Sequence, residues 1–256
     1  MTTETSPVPA PVDLEQNAKY RTSWSLPGSA ERNSQPIAEA LSPLLSSTSS
    51  TPTHKPVILE VASGFGLQIS AIASRYPHCQ FQPSEADAYP RLQIDSRTAD
   101  LPNVGKAEAL DLLDQNDWLT LVHNVSGENE KVSAEEGLFN GVLACNLTHV
   151  APWKVTESLF GHLDPRVGYV TQQGYRSLLS KNGWIAIYGA FNEDGKFTSE
   201  GNEKFDEEIR GRNKEFGLRD VQGELVPLAG RHGYELTERI EMPAGNLLLV
   251  FRVRKE

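Results

Sequence analysis

VILEVASGFGLQIS, residues 57–70, opens as an apolar run, takes in one carboxylate at Glu60, and turns through Gly64 and Gly66 before apolar residues resume. A short apolar run bounded by glycines reads as a strand buried on both faces, Val57–Val61. Leu67 to Arg75 then carry apolar residues at helical spacing, and Pro77 closes the stretch. Strand, tight turn and helix therefore follow one another. Gly64 and Gly66 let the backbone bend and approach a ligand with no Cβ in the way, and Glu60 offers an acceptor to a cationic or amide group. In an open parallel sheet, ligands collect at the carboxyl ends of the strands. The turn predicts a nucleoside site.

The same alternation continues outward. Strands are expected at Cys79–Gln82, Gly105–Leu110, Leu138–Cys145, Trp184–Tyr188, Tyr234–Ile240 and Leu247–Val253. Helices are expected at Lys154–Leu163 and at Gln172–Leu179, the second closed by Asn182-Gly183. Upstream, Ile37, Leu41 and Leu44 recur at helical spacing, with Asn33 or Ser34 as cap and Pro36 in the first turn. This pattern predicts an α/β fold with a doubly wound, mostly parallel sheet. The final two strands are separated by only EMPAGN, residues 241–246, too short for a crossover helix, so they form an antiparallel hairpin. Residues 1–28 read as a flexible arm, residues 46–56 as a Ser/Thr linker, and residues 29–256 as one domain. Residues 121–137 read as a solvated loop, and DPRVGYV, 164–170, as another insertion.

Composition narrows the function classes. The chain has 256 residues and a formal net charge of −10, with no Lys/Arg block, which argues against a nucleic-acid backbone as main partner. Its longest apolar stretches are far too short for a membrane span. The N-terminus has no basic and apolar leader, and Cys79 and Cys145 do not suggest a disulfide framework, so the expected location is cytoplasmic. The six histidines show no metal-ligand spacing, and P-loop and serine-hydrolase signatures are absent, so no metal is expected. Oligomeric state is not set by these features.

Two nucleoside cofactors compete for the turn. A dinucleotide fingerprint requires G-x-G-x-x-G, but Ile69 stands three residues after Gly66. S-adenosylmethionine sites follow an acidic-x-G-x-G-x-G pattern, which Glu60, Gly64 and Gly66 match, with Ala62 in place of the first glycine. The sulfonium cofactor fits better. Glu85 follows the second strand, where a carboxylate binds ribose hydroxyls. Asp111 follows the third and would accept from an adenine amino group.

Beyond the turn, whole phrases resemble a methyltransferase-like family typified by methyltransferase-like protein 26. They include AERNSQPI (30–37), LEVASGFG (59–66), FQPSEAD (81–87), CNLTHVAPW (145–153), FDEEIRGRNKEFGLRD (205–220) and MPAGNLLLVFR (242–252). The resemblance runs from Ala30 to Arg252. It implies a class I methyltransferase fold with a seven-stranded sheet, and an S-adenosylmethionine pocket. The chain departs from it at Phe65 and Leu67, where the family reads threonine and glutamine, at Gln68 where it reads histidine, and at Glu85 where it reads aspartate. Residues 164–171 look inserted.

A reaction chamber is expected around CNLTHVAPW. Asn146 would hold the methionine moiety, and His149, taken as near-neutral in pKa, is the general-base candidate. Trp153 would stack on substrate, and Tyr188 would orient the acceptor. The polar stretch from Phe191 to Asp220 reads as a lid with a helix over Glu203–Arg212, and Phe191 and Arg210 are substrate-binding candidates. These residues describe an S-adenosylmethionine-dependent methyltransferase of a small-molecule acceptor. Two alternatives stand beside it: a cyclase, isomerase or lyase on the same fold, and a non-catalytic cofactor-binding subunit.

Overall fold

The computed structural model describes residues 28–46, 55–128, 137–171 and 174–255; the arm, all but its last residue, and most of the linker lie outside them. In chain order the elements are α1 (Ser29–Ala40), α2 (Ser42–Ser46), β1 (Val57–Val61), α3 (Leu67–Arg75), β2 (Gln80–Glu85), α4 (Ala88–Arg97), β3 (Glu108–Ala109), α5 (Gln115–Glu128), β4 (Phe139–Cys145), α6 (Trp153–Leu163), β5 (Tyr169–Thr171), β6 (Gly174–Arg176), β7 (Leu179–Glu193), β8 (Lys196–Phe197), α7 (Glu200–Arg212), β9 (Arg219–Asp220), α8 (Val226–Arg231), β10 (Tyr234–Glu241) and β11 (Asn246–Val253). A π-helical turn, Val221–Leu225, leads into α8.

The main sheet runs β3-β2-β1-β4-β7-β11-β10, with β8 and β9 paired to the far end of β7. β1 is parallel to β2 and β4, and β4 to β7. β11 is antiparallel to both its neighbours, which is the terminal hairpin expected from EMPAGN. Strand order reverses between β1 and β4, and this switch point is where an open α/β sheet presents its ligand crevice.

Side chains alternate between two apolar layers. Leu59, Val61, Val142, Ala144, Ile185 and Ile187 face a core that includes Trp118 of α5 and Leu159 and Phe160 of α6. Ile58, Leu143, Trp184, Ala186 and Tyr188 face Ile37, Leu41, Ile69 and Ile72 on α1 to α3. Burial of β1 on both sides explains why its sequence does not alternate in polarity.

Several expected elements change. α1 starts at Ser29, with Gly28 (φ 77°) as its N-cap, and carries Pro36 in its interior instead of being capped by Asn33 or Ser34. Its apolar stripe docks on α3, with the Tyr76 hydroxyl donating to the Ala38 carbonyl at 2.7 Å, so tertiary burial holds the helix, which begins upstream of its local start signal. The segment 121–137 is not all loop: α5 runs to Glu128, burying Trp118, Leu121, Val122 and Val125, while 129–136 lie outside the described residues. In place of a helix after Gln172, Gly174–Arg176 pairs with Tyr169–Thr171 as a hairpin. Asn182 and Gly183 fall inside the long β7. Pairing with β4 jumps from Phe139↔Leu179 to Gly141↔Trp184, so Lys181 and Asn182 bulge outward and a helix-stop signal becomes a strand irregularity.

Candidate active site at the carboxyl edge of the sheet

The turn after β1 is built from left-handed residues: Ala62 (φ 51°), Gly64 (φ 57°) and Gly66 (φ 73°). At Gly66 a Cβ would lie 3.3 Å from the backbone of Ile94, so glycine lets α3 begin against α4. Ala62 holds the same backbone region with a side chain, a conformation that costs of order 1–3 kcal/mol and tends to persist at functional sites. The Ser63 amide donates to the Ser84 carbonyl at 3.0 Å, which ties this turn to the end of β2.

Glu60 is 1 % exposed, and its Oε2 has no hydrogen-bond partner among the described residues. Burial pushes its pKa up to about 8; a hydrogen bond with Ser63 opposes the shift and the charge of Glu85 adds to it. The free protein therefore holds an uncompensated acid in an apolar wall. Glu60 and Leu143 are in register across β1 and β4, as are Cys145 and Tyr188 across β4 and β7. Glu60, Cys145 and Tyr188 thus share the sheet face under α1 to α3. Burial and the nearby Glu60 raise the Cys145 thiol well above its usual range.

Glu85 ends β2 and joins two turns. Its Oε2 accepts from the Gly64 amide and its Oε1 from the Ala86 amide, both at 2.9 Å. Burial raises its pKa despite those amides and that of Asp87. On α4, Arg91 donates to the carbonyls of Glu85 and Ala86, and Arg97 Nε to that of Phe65 at 2.8 Å. The Phe65 ring meets Tyr89 of α4 edge-on at 6.0 Å, so one departure from the resembling family joins an aromatic pair on the outer wall. Leu67 opens α3. Asp111 lies two residues past β3 and is exposed. Its Oδ1 accepts the Leu113 amide at 2.9 Å, and its own amide donates to Asp117.

After β4 the chain turns through Asn146 in the left-handed region, φ 55°, and its amide donates to the Tyr188 carbonyl at 2.8 Å. His149 follows in the loop to α6 and is 2 % exposed, with Nδ1 sealed and without a partner among the described residues. Its ring packs edge-on against Phe205 of α7 at 5.3 Å. Its Cε1 and Nδ1 lie 3.1 Å from where a Cβ on Gly189 would stand, so the imidazole rests on bare backbone. The near-neutral imidazole expected from the sequence is not what the fold produces. Burial, seconded by the charge of Arg219, lowers the His149 pKa to about 4.

The remaining expected residues divide. Trp153 begins α6, half-buried, with the Arg219 guanidinium 5.5 Å from its ring centroid. Tyr188 is fully buried and accepts from Asn246 Nδ2 at 2.8 Å, which latches β7 to β11; burial pushes its pKa up to about 12. Phe191 is fully buried among core side chains. Arg210 Nε donates to Asp206 at 2.7 Å within α7, with its side chain 48 % exposed. Thr148, Phe205 and Arg219 join the His149 loop without having been singled out as site residues. Each lay within a resembling phrase, Thr148 in CNLTHVAPW and Phe205 and Arg219 in FDEEIRGRNKEFGLRD, but no local rule marked it as a site residue.

Segment 191–220 covers this loop. β8 and β9 both pair with Asn192, and α7 between them brings Ile209 and Phe205 against Ala190, Val150, Phe216 and Leu218. The Gly217 amide donates to the His149 carbonyl at 3.0 Å.

The model of a protein family of unknown function, DUF938, matches residues 25–253. The chain belongs to that family. Its fold is that of class I methyltransferases, as three solved structures illustrate. An O-methyltransferase family 2 protein from Planctomyces limnophilus, in complex with apigenin, is similar with TM-score 0.65 and 14 % identity, over 96 % of this DUF938 chain and 63 % of that one. CalO1, a methyltransferase in calicheamicin biosynthesis in its SAH-bound form, is similar with TM-score 0.54 and 12 % identity, over 86 % and 55 % of the two chains. A pericyclic reaction enzyme is similar with TM-score 0.57 and 14 % identity, over 84 % and 47 %. The DUF938 chain spans less than two thirds of the length of each, and at these identities the likeness is one of fold. No helix among the described residues is long and apolar enough to cross a membrane.

Proposed function

We propose that this chain is an S-adenosylmethionine-dependent methyltransferase acting on a small molecule, akin to the methyltransferase-like protein 26 group whose phrases it resembles. The observation that carries the reading is the pair of carboxylates, Glu60 and Glu85, bracketing a left-handed turn at the switch point of a methyltransferase fold. The SAH bound to CalO1 and the apigenin bound to the Planctomyces protein support a sulfonium cofactor and a small acceptor.

The residues present suit such a cofactor. The orphaned Oε2 of Glu60 is the partner an ammonium group would satisfy, and cationic company would return its carboxyl to the ionised form. Glu85 keeps free lone pairs for ribose hydroxyls while its amide partners hold it rigid. Asp111 retains an oxygen for an adenine amino group, and Asn146 and Ala62 present backbone shaped by their left-handed conformations. When bound, the sulfonium supplies an activated methyl group. The protein then contributes alignment and exclusion of water, through the His149 loop and the segment 191–220 above it. With a pKa near 4, His149 accepts a hydrogen bond at neutral pH and is a weak base, so the acceptor group arrives already nucleophilic.

Calorimetry with S-adenosylmethionine and its demethylated product tests the reading, and silence with both at millimolar concentration would defeat it. Likeness to a pericyclic reaction enzyme supports a second reading, non-methylating chemistry in the same chamber. Turnover of an acceptor that ignores added methyl donor would establish that alternative. Tight cofactor binding with no turnover of any acceptor would instead favour a binding subunit.

A further inference from the structure

Arg219 is 7 % exposed at the start of β9, and all its protein partners are neutral. Nε donates to the Thr148 carbonyl at 3.0 Å, and Nη2 donates to the carbonyls of Ala151 and Glu215, both at 2.8 Å. No ion pair among the described residues includes it. Glu224 and Asp206 act on the guanidinium only from a distance, and Arg210 opposes them. Nη1 makes no hydrogen bond among the described residues.

Carbonyls satisfy donors without cancelling charge, and a buried charge lacking a counter-charge is costly in an apolar surround. A guanidinium held rigid by three carbonyls, with one amino group left without a partner, is pre-organised for an oxyanion. Its surroundings are the Trp153 ring and the uncharged imidazole of His149, which rests against Phe205. An aromatic wall with one fixed cation suits an organic anion better than a bare inorganic one.

We infer that Arg219 is an anion-binding residue of the acceptor chamber, taking a small organic carboxylate on its unpartnered Nη1. The site stands on its own geometry; that the carboxylate belongs to the methyl acceptor rests on the methyl-transfer reading. Arg210, the arginine that the sequence favoured for this role, is engaged by Asp206 on the exposed side of α7.

The test uses the full chain without cofactor, titrated with benzoate, benzamide and inorganic phosphate. Tryptophan fluorescence of a Trp118→Phe/Trp184→Phe background, with Trp24 far in sequence as the only other indole, follows Trp153, and the Nε–Hε resonance of Arg219 reports the guanidinium. Benzoate is expected to saturate and move that resonance, with benzamide weaker by at least about tenfold, ~1.4 kcal/mol. Arg219→Gln is expected to abolish the benzoate response, while Arg75→Gln, which removes a surface pair with Glu39, leaves it intact. Equal binding of benzamide, tighter binding of phosphate, or a folded Arg219→Gln protein that still binds benzoate would each overturn the inference. Should Arg219→Gln not fold, the wild-type resonance decides: no shift at saturating benzoate, or no binding at all, sinks it. Separate calorimetry with the methyl donor keeps the two readings apart, since an anion site that survives without donor binding removes only the methyl-transfer reading.

Discussion

Glu85 accepts the amide of Gly64 at 2.9 Å, so the carboxylate at the tip of β2 holds the glycine turn at the tip of β1. Replacing it by alanine leaves the Gly64 amide without that partner. Glu85→Ala is expected to lower stability by about 1–3 kcal/mol, the cost of an unsatisfied group, and to weaken cofactor binding further than Glu85→Gln. Urea unfolding and calorimetry on both variants check this; equal cofactor affinity in all three proteins would contradict it.

Glu60 carries the opposite signature of a normal carboxylate. Its folded pKa, about 8, stands above the ordinary carboxylate value of 4.5, so the native state binds the extra proton between those limits. That contribution is fully present below pH 4.5 and is lost as pH rises through 8. Glu60→Gln is expected to flatten the alkaline decline in thermal midpoint while weakening S-adenosylmethionine binding by more than tenfold. An unchanged pH profile in the variant would count against the buried neutral acid.

Burial holds the His149 pKa low instead of near neutral. With a folded pKa near 4 against 6.5 for the free imidazole, the unfolded chain takes up the proton first, so stability is lost as pH falls from 6.5 through 4. NMR of the ring is expected to show the neutral form at pH 5. A midpoint near 6.5 would mean that the loop is open to water.

Phe205 presses on His149 from α7, and Gly217 ties the same segment to the His149 carbonyl. Phe205→Ala is expected to loosen the cover: hydrogen exchange at the Gly217 amide speeds up, with a stability loss below the 3–5 kcal/mol of a fully buried phenylalanine, because Phe205 is half-buried. Protection that matches wild type would show that the segment is anchored elsewhere.

Gly189→Ala probes the bare backbone beneath the imidazole. Its new Cβ would fall 3.1 Å from the ring, and the expected cost is about 1–3 kcal/mol, with a displaced His149 resonance. Wild-type stability together with an unmoved resonance would refute the contact.

The strand–turn–helix at 57–75, the hairpin through EMPAGN and the strand-end positions of Glu60 and Glu85 were legible because each depends on a local rule. Burial on both faces makes an apolar run, only certain residues bend at positive φ, and short connections force antiparallel pairing. Where local signals competed with packing they misled. Asn182-Gly183 reads as a helix stop, yet the chain around it pairs with β4, and Pro36 is accommodated because Ile37 and Leu41 dock on α3.

For this protein, the sequence by itself determined the fold class and the identity of the turn, since periodicity and turn chemistry are properties of neighbouring residues. Only tertiary structure decided which groups lose water: the protonation of Glu60, the depressed His149, and a cationic Arg219 set against the Thr148–Ala151 carbonyls from 68 to 71 residues away. Desolvation depends on what the whole chain places around a group, and no local pattern of residues encodes it.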